Sequence, residues 1–219
     1  MAMPAAPVKQ TRPSPPPPST EAAKAILDIA EELAQTRGYN GFSYADIAAK
    51  LGVTKASLHY HFASKAELGR ALIARYHHAF GAALDSIDKR PATPPEKLRH
   101  YVELYDGVIR NDRMCLCGML AAEYMTLPAP MQEALKGFFD LNERWLVTVL
   151  QQGMKSGSLA FAESAKERAR VLLGALEGAM LVARSYGEPD RFHVAAQQIL
   201  DDLGVRRKIR SNGTRKRNR

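Results

Sequence analysis

The sequence predicts an all-α protein of about nine helices, and three observations support this prediction. Apolar residues recur at intervals of three and four through most of the chain after Thr20, which is the period of a helix with one buried face. Several of these stretches open with a serine or threonine that lies three residues before an acidic residue, the pattern of a helix capping box. No stretch alternates apolar and polar residues clearly enough to indicate a strand.

Composition excludes several classes of protein. Of 219 residues, 46% are hydrophobic and 25% are charged, as in ordinary globular proteins. No apolar run approaches the roughly 18 residues that a membrane-spanning helix needs, and the N-terminus lacks the apolar segment of a secretory signal. Two cysteines are too few for a disulfide framework. We therefore expect a cytoplasmic protein that does not contact membranes.

The charge is unevenly distributed. The net charge is +8, but residues 206–219 contain eight basic residues and no acidic one, so removing them leaves 23 basic and 23 acidic residues. Such blocks of one charge are usually disordered and can assist phosphate binding or merely improve solubility. We expect a disordered basic tail over 206–219 and a disordered, proline-rich arm over 1–19.

Local signals fix the predicted helices in order. Ser43 with Asp46 forms a capping box, Gly52 provides a turn, Thr54 caps the next helix, and Thr93 precedes Pro94 at a helix start. Proline-containing segments interrupt the later helices. The predicted helices span about 21–37, 44–51, 55–61, 65–88, 94–111, 116–125, 131–155, 165–186 and 191–203.

The second and third helices form a helix-turn-helix pattern over residues 43–62. In such a pair the second helix can enter the major groove of DNA and present its outward side chains to base edges. Those side chains are able to donate and accept hydrogen bonds and none is negatively charged; they are Thr54, Lys55, Ser57, His59 and Tyr60. The segment from 37 to 65 has four basic residues and one acidic residue, which suits phosphate.

The residues from about 20 to 80 resemble the N-terminal domain of TetR-type transcriptional regulators. The likeness lies in the ordered motifs GFSYADIA, LGV, SLHYHF and SKAEL, which begin at Gly41, Leu51, Ser57 and Ser64. It implies a DNA-binding domain over 20–80, an effector-binding and dimerisation domain over 81–205, and a homodimer that binds a palindromic DNA operator. It also implies a repressor that a small-molecule effector releases from the operator.

The resemblance assigns DNA contacts to individual residues. It places backbone contacts at Ser43 and Tyr44, contacts at or near bases at Thr54, Lys55 and Ser57, and phosphate contacts at Tyr60, His61 and Lys65. Many family members have tyrosine where this chain has His59, and glycine where it has Ala56. The departure at His59 leaves open a helical dimer that senses a ligand but has lost sequence-specific DNA recognition.

The resemblance also implies an effector cavity among the later helices, mainly apolar with a few polar anchors. The candidate lining residues are Tyr101, Tyr105, Cys117, Glu123, Phe138, Arg144 and Trp145. Small residues four apart in the eighth helix, with the ninth helix, are typical of a packed interface between two copies. The candidate interface residues are Gly174, Gly178, Leu181, Val194 and Gln197.

Cys115 and Cys117 leave an alternative open. Their place at the start of a helix favours a reactive thiolate, so a redox- or electrophile-sensing regulator is possible, and a cysteine enzyme is a weaker alternative because no partnered base is evident. Two cysteines without a second ligand cluster do not indicate zinc. We expect no catalytic residues, no metal and no cofactor.

Overall fold

The computed structural model describes residues 20–204, and within that range it contains nine α-helices, one 3-10 turn and no strand. The predicted all-α class is therefore confirmed. The predicted proline-rich arm and basic tail lie outside the described residues. The helices are α1 (Glu21–Arg37), α2 (Tyr44–Leu51), α3 (Lys55–His61), α4 (Lys65–Asp88), α5 (Pro94–Ile109), α6 (Leu116–Ala122), α7 (Ala129–Ser156), α8 (Ala165–Tyr186) and α9 (Asp190–Asp201), with the 3-10 turn at Tyr124–Thr126. None of these helices is long and apolar enough to cross a bilayer.

The capping signals place most helix ends correctly. The boxes at Ser43 and Thr93 both form, and Gly52 adopts the left-handed conformation with φ 68°, which glycine reaches without strain. Several boundaries differ from the prediction by one to three residues; for example, α5 ends at Ile109 and α9 ends at Asp201. Helix α6 ends at Ala122 instead of continuing to 125, and α7 begins at Ala129 because Pro130 is tolerated in a first helical turn.

The chain packs as two compact units. The first comprises the described residues 20–79 together with Met119–Phe138, and the second comprises Phe80–Gly118 together with 139–204. The sequence assigns all of 81–205 to one functional domain, whereas packing groups 119–138 with the N-terminal helices. Helix α4 contributes residues to both units.

In the first unit, α1 packs on α2 and α2 packs on α3. Buried side chains of Leu33, Ile47 and Leu58 form the centre of this group. Phe62, which ends α3, is also buried, as expected for a side chain that closes the core. This packing leaves the opposite side of α3 in solvent.

In the second unit, α8 packs on α9, and α5 packs on both. Leu172, Leu176, Met180 and Phe192 bury their side chains there. The regular apolar stripe of α8 therefore faces inward, and its other side carries the residues predicted to contact a second copy of the chain.

We predict that Tyr44→Phe lowers the free energy of unfolding by about 1–2 kcal/mol, because it leaves a buried carbonyl without a donor. The Tyr44 hydroxyl donates to the carbonyl oxygen of Phe62 at 2.8 Å, and both residues are buried. Urea denaturation measures the change. The matched control is Tyr60→Phe on the 87% exposed Tyr60, which should leave stability unchanged; equal stability of the two variants would contradict the prediction.

Candidate functional site

The segment from Ser43 to Phe62 is organised by its backbone caps. The Asp46 carboxylate accepts from the backbone N–H of Ser43 at 2.8 Å, which completes the box at the start of α2. These Ser43 hydrogen bonds hold the pKa of Asp46 below its usual range. Thr54 accepts the backbone N–H of Ser57 at 3.3 Å and so begins α3. These caps thus fix where α2 and α3 begin, on either side of the turn between them.

Helix α3 presents one polar face to solvent. All five side chains predicted to face outward there are exposed, namely Thr54, Lys55, Ser57, His59 and Tyr60. Lys55 has no acidic partner among residues 20–204, whereas Lys50 on α2 pairs with Glu32 at 2.5 Å. The positive charge of Lys55 is therefore free to interact with a negatively charged ligand.

Two histidines lie at the edge of this face. His59 packs against the ring of Tyr44 at 4.7 Å, and its Nδ1 lies 3.1 Å from the carbonyl oxygen of Ala63. Half-buried His61 meets the ring of Tyr60 edge-on at 5.2 Å. The histidine in place of the usual tyrosine thus remains exposed, with Nδ1 held by the protein and Nε2 on the other side of the ring.

Two residues that are predicted to contact DNA, Tyr44 and Lys65, are hydrogen-bonded within the first unit. Tyr44 is buried, and burial, with smaller effects of Glu67 and Tyr39, raises its pKa to about 12. Its hydroxyl donates a hydrogen bond to the carbonyl oxygen of Phe62. Tyr44 therefore positions α2 against the end of α3, while Ser43 beside it remains exposed.

Lys65 also points into the protein. Its ammonium donates to the carbonyl oxygens of Tyr39, at 2.5 Å, and Phe42, and lies 4.4 Å from the centre of each of their rings. Burial lowers the pKa of Lys65, although the charges of Glu123 and Asp46 oppose this shift. The sequence predicts a phosphate contact; here the side chain stabilises the α1–α2 loop.

Glu123, predicted to anchor an effector, holds the same loop. Its carboxylate accepts from the backbone N–H of Tyr39 at 2.6 Å and of Asn40 at 3.3 Å. Gly38 has φ 81°, and a Cβ there would lie 2.7 Å from a Glu123 oxygen. A glycine is therefore needed both for the backbone angle and for the approach of this carboxylate.

A polar cluster lies in the second unit, where three predicted effector residues meet. The Tyr101 hydroxyl donates to Oδ1 of Asn142 at 2.8 Å and lies 3.0 Å from the Tyr105 hydroxyl. Because Tyr101 has a single hydroxyl proton, Tyr105 must donate to Tyr101. Trp145 stacks on Tyr101 at 5.4 Å and donates to Asp88 at 2.9 Å.

The remaining predicted effector residues are dispersed. Phe138 belongs to the first unit, where it contacts Tyr76 and His77. Arg144 is exposed and lines an open cavity of about 430 Å³ with Asp140 and other polar residues. The structure therefore brings together Tyr101, Tyr105 and Trp145 but does not place Arg144 with them.

Sequence reasoning missed Asn142, whose side chain is buried, and Glu177, whose carboxyl oxygens are buried. Asn142 is fully buried, and it follows buried Phe138 by four positions on α7. Glu177 lies four residues after Leu173 and three before Met180, both buried on α8. The available signal was a polar residue three or four positions from apolar residues on the same helix, which indicates that it lies on the buried face.

Both cysteine thiols are buried at the start of α6. Cys115 lies near Glu177, whose pKa its thiol affects. A neighbouring carboxylate disfavours a thiolate, so the surroundings of Cys115 do not favour a reactive sulfur, and thiol sensing stays a prediction. Among residues 20–204, no group of three or more potential ligands is placed to hold a metal ion.

The outer face of α8 and α9 carries apolar side chains in solvent. Val171, Leu181 and Val194 are exposed, the last to 71%. Gly174 and Gly178 lie between them, and a Cβ at either would meet nothing within 4 Å. The predicted interface residue Gln197 is half-buried on α9 and donates to Asp201. Exposed apolar side chains thus lie on both helices, with two unobstructed glycines on α8.

A helix-turn-helix with an exposed recognition helix, followed by a helical C-terminal region, defines the class of DNA-binding transcriptional regulators. Residues 26–72 match the model of bacterial regulatory proteins of the tetR family, and 94–199 match the tetracyclin repressor-like C-terminal domain. The chain belongs to the TetR family of transcriptional regulators, whose members are non-enzymatic. The cysteine-enzyme alternative is thereby excluded.

Individual relatives agree with this assignment. A TetR-family regulator from Agrobacterium tumefaciens is 33% identical, with a TM-score of 0.81 over 83% of this chain and 97% of its own. A TetR regulator from Legionella pneumophila is 31% identical, with a TM-score of 0.77 over 84% and 98%. The transcriptional regulator AcuR of Cereibacter sphaeroides is 28% identical over 84% of this chain and 86% of its own length.

We predict that Lys65→Met lowers the free energy of unfolding by roughly 1–3 kcal/mol, because two carbonyls in the α1–α2 loop lose a charged donor. Lys55→Met, at an exposed lysine, is the matched control and should leave stability nearly unchanged. Urea denaturation compares the two variants. If Lys65→Met proves as stable as the wild-type protein, its ammonium has no structural role.

Proposed function

We propose that this chain binds a palindromic DNA operator as a homodimer, represses transcription there and is released by a small organic effector. It would act in the cytoplasm, at the nucleoid where the operator lies. The observation that carries the proposal is the exposed face of α3, on which five neutral or basic hydrogen-bonding side chains lie together. Such a face matches the hydrogen-bonding edges of bases in the major groove.

The contacts of this face divide into two kinds. Lys55 and Ser57, near the start of α3, would read base edges, because the N-terminal residues of a recognition helix approach the bases most closely. Tyr60 and His61, near its end, would contact phosphates, and such contacts fix register without reading sequence. Ser43 would add a backbone contact, since its exposed hydroxyl lies at the start of α2.

The two-fold symmetry of a dimer matches the symmetry of a palindromic operator. Two recognition helices must be about 34–36 Å apart to enter successive turns of the major groove. Leu181 on α8 and Val194 on α9 are exposed, and the two glycines of α8 leave room for a close approach. These features support a second copy of this chain as the partner of α8 and α9. A two-fold interface places the same face of each copy against the other.

Release by an effector requires the second unit to influence DNA affinity. Helix α4 runs without interruption from residue 65 to 88 and contributes to both units. A ligand that favours one position of α4 would change the separation of the recognition helices. By linkage, operator DNA must then weaken effector binding by the same factor.

A gel-shift titration against the DNA upstream of its own gene tests the proposal. The dimer should prefer one fragment over random DNA of equal length, and it should reduce expression of a reporter placed behind that fragment. The absence of any preferred fragment would contradict the proposal and favour a ligand-sensing dimer without DNA recognition. Activation of the reporter would contradict repression.

We predict that Lys55→Ala weakens binding to the preferred fragment by roughly 10–100-fold, because a good contact with a base edge contributes about 1–3 kcal/mol. The loss on random DNA should be smaller. Lys155→Ala, at an exposed lysine at the end of α7, is the control and should leave both affinities unchanged. Equal losses on both DNAs would assign Lys55 to phosphate.

We predict that Val194→Glu raises the dimer dissociation constant at least about tenfold, because an unpaired carboxylate in an apolar interface is costly. Sedimentation equilibrium measures the constant. Met125→Glu, at another exposed apolar side chain, is the control and should preserve the dimer. An unchanged dimer in the Val194 variant would place the interface elsewhere.

A further inference from the structure

One carboxyl group in the second unit is buried without a basic partner and without a strong hydrogen-bond donor among the described residues. Both oxygens of Glu177, in the middle of α8, are inaccessible to water, and no donor among residues 20–204 forms a hydrogen bond of ordinary geometry with them. Burial raises the pKa of Glu177 to about 7, and a weak hydrogen bond from the nearby Cys115 thiol acts in the opposite direction. Buried polar groups without partners are rare because they lower stability.

The carboxyl lies against the first turn of α6. A Cβ at Gly118 would lie 2.2 Å from Oε2 of Glu177 and 3.5 Å from Cβ of Cys115. Gly118 has no left-handed backbone angle to explain it, so space for the carboxyl is the physical reason for a glycine here. The site therefore depends on two residues from different helices.

The groups around Glu177 are acidic or neutral. The titratable ones are Tyr101 and Tyr105 on α5 and Cys115 before α6, and the charge of Glu177 helps to raise the pKa of both tyrosines. Neither a lysine, an arginine nor a histidine among the described residues stabilises its ionised form. Asp106 on α5 differs, since it has His193 and Arg110 as partners.

We propose that Glu177, together with Cys115 and the Tyr101–Tyr105 pair, is the recognition centre of the effector site and that the effector is a small organic cation, an amine or ammonium compound. This inference rests on the proposed function. A cation supplies the counter-charge that the site lacks and recovers the free energy lost when the carboxyl is buried. An organic anion meets a negative, desolvated site and is rejected.

The pH dependence follows from the carboxyl. Its pKa is raised in the folded chain, so the stability due to its protonated form is present at low pH and is lost as the pH rises from the ordinary carboxyl range through about 7. A cation binds the ionised form. Its affinity should therefore increase by about tenfold between about pH 6 and 8, as the ionised fraction of Glu177 rises.

Three ligands with the same four-carbon chain test the charge preference: n-butylammonium, n-butanol and butyrate. Thermal unfolding of the full chain at constant ionic strength should show a higher Tm with n-butylammonium than with the other two, because binding to the native state alone is stabilising. The shift should grow between about pH 6 and 8. No shift with n-butylammonium, or an equal shift with butyrate, would overturn the proposal.

Glu177→Gln removes the charge with little change of shape and should abolish the advantage of n-butylammonium. Glu103→Gln, at an exposed glutamate on α5, is the control and should keep it. If Glu177→Gln fails to fold, Gly118→Ala, which displaces the carboxyl, should reduce the shift instead. A shift that persists in a folded Glu177→Gln protein would overturn the assignment.

DNA binding is measured separately on the same proteins. Glu177→Gln without ligand should retain the wild-type preference for the upstream fragment, since Glu177 lies outside the recognition helix. n-Butylammonium should weaken operator binding by the wild-type protein and not by the variant. If the wild-type protein binds the operator but does not respond to n-butylammonium, the cation site is refuted. If the wild-type protein does not bind the operator, the proposed function is refuted.

Discussion

The loop between α1 and α2 must have its buried backbone groups satisfied, and the DNA-reading part of the molecule depends on how this is done. Glu123 accepts the N–H groups of Tyr39 and Asn40, and Lys65 donates to the carbonyls of Tyr39 and Phe42. One acidic and one basic side chain thus neutralise opposite backbone charges within a few residues. The loop cannot shift without exposing polar groups to a poorly hydrated environment.

This constraint fixes the position of α2 and, through it, that of α3. Tyr44 ties the two helices together through the carbonyl of Phe62, and Leu58 fills the space between them. The side of α3 that remains is polar and exposed. Because Glu123 comes from the segment after α6, far along the chain, the DNA-reading helices are stabilised by residues outside the N-terminal sequence motif.

The second unit contains the opposite situation. Tyr105, Tyr101 and Asn142 form a satisfied chain of buried hydrogen bonds. Among the described residues, the Glu177 carboxyl near them has no donor stronger than the Cys115 thiol. A satisfied network specifies one packing arrangement, and an unsatisfied acid lowers stability. The contrast supports a division of roles within the proposed site, in which the tyrosines hold each other in place beside the ligand and the carboxyl meets its charge.

Local signals in the sequence determined the fold class, most helix boundaries and the exposed face of α3. Capping boxes at Ser43 and Thr93, the glycine at 52 and the helical period of apolar residues act over a few positions, so they can be read directly from the chain. The family motif added the DNA-binding role. None of these features depends on contacts between residues that are far apart in the chain.

Only the tertiary structure decided which polar side chains are used inside the protein. Tyr44 and Lys65 match the family motif but bond to carbonyls 18 to 26 residues away, and Glu123 acts 83 to 84 residues from its own position. Glu177 becomes unusual only because Gly118 of α6 and Cys115 just before that helix lie against it. Side-chain type is a local property, whereas burial and partner choice depend on chain segments that meet only after folding.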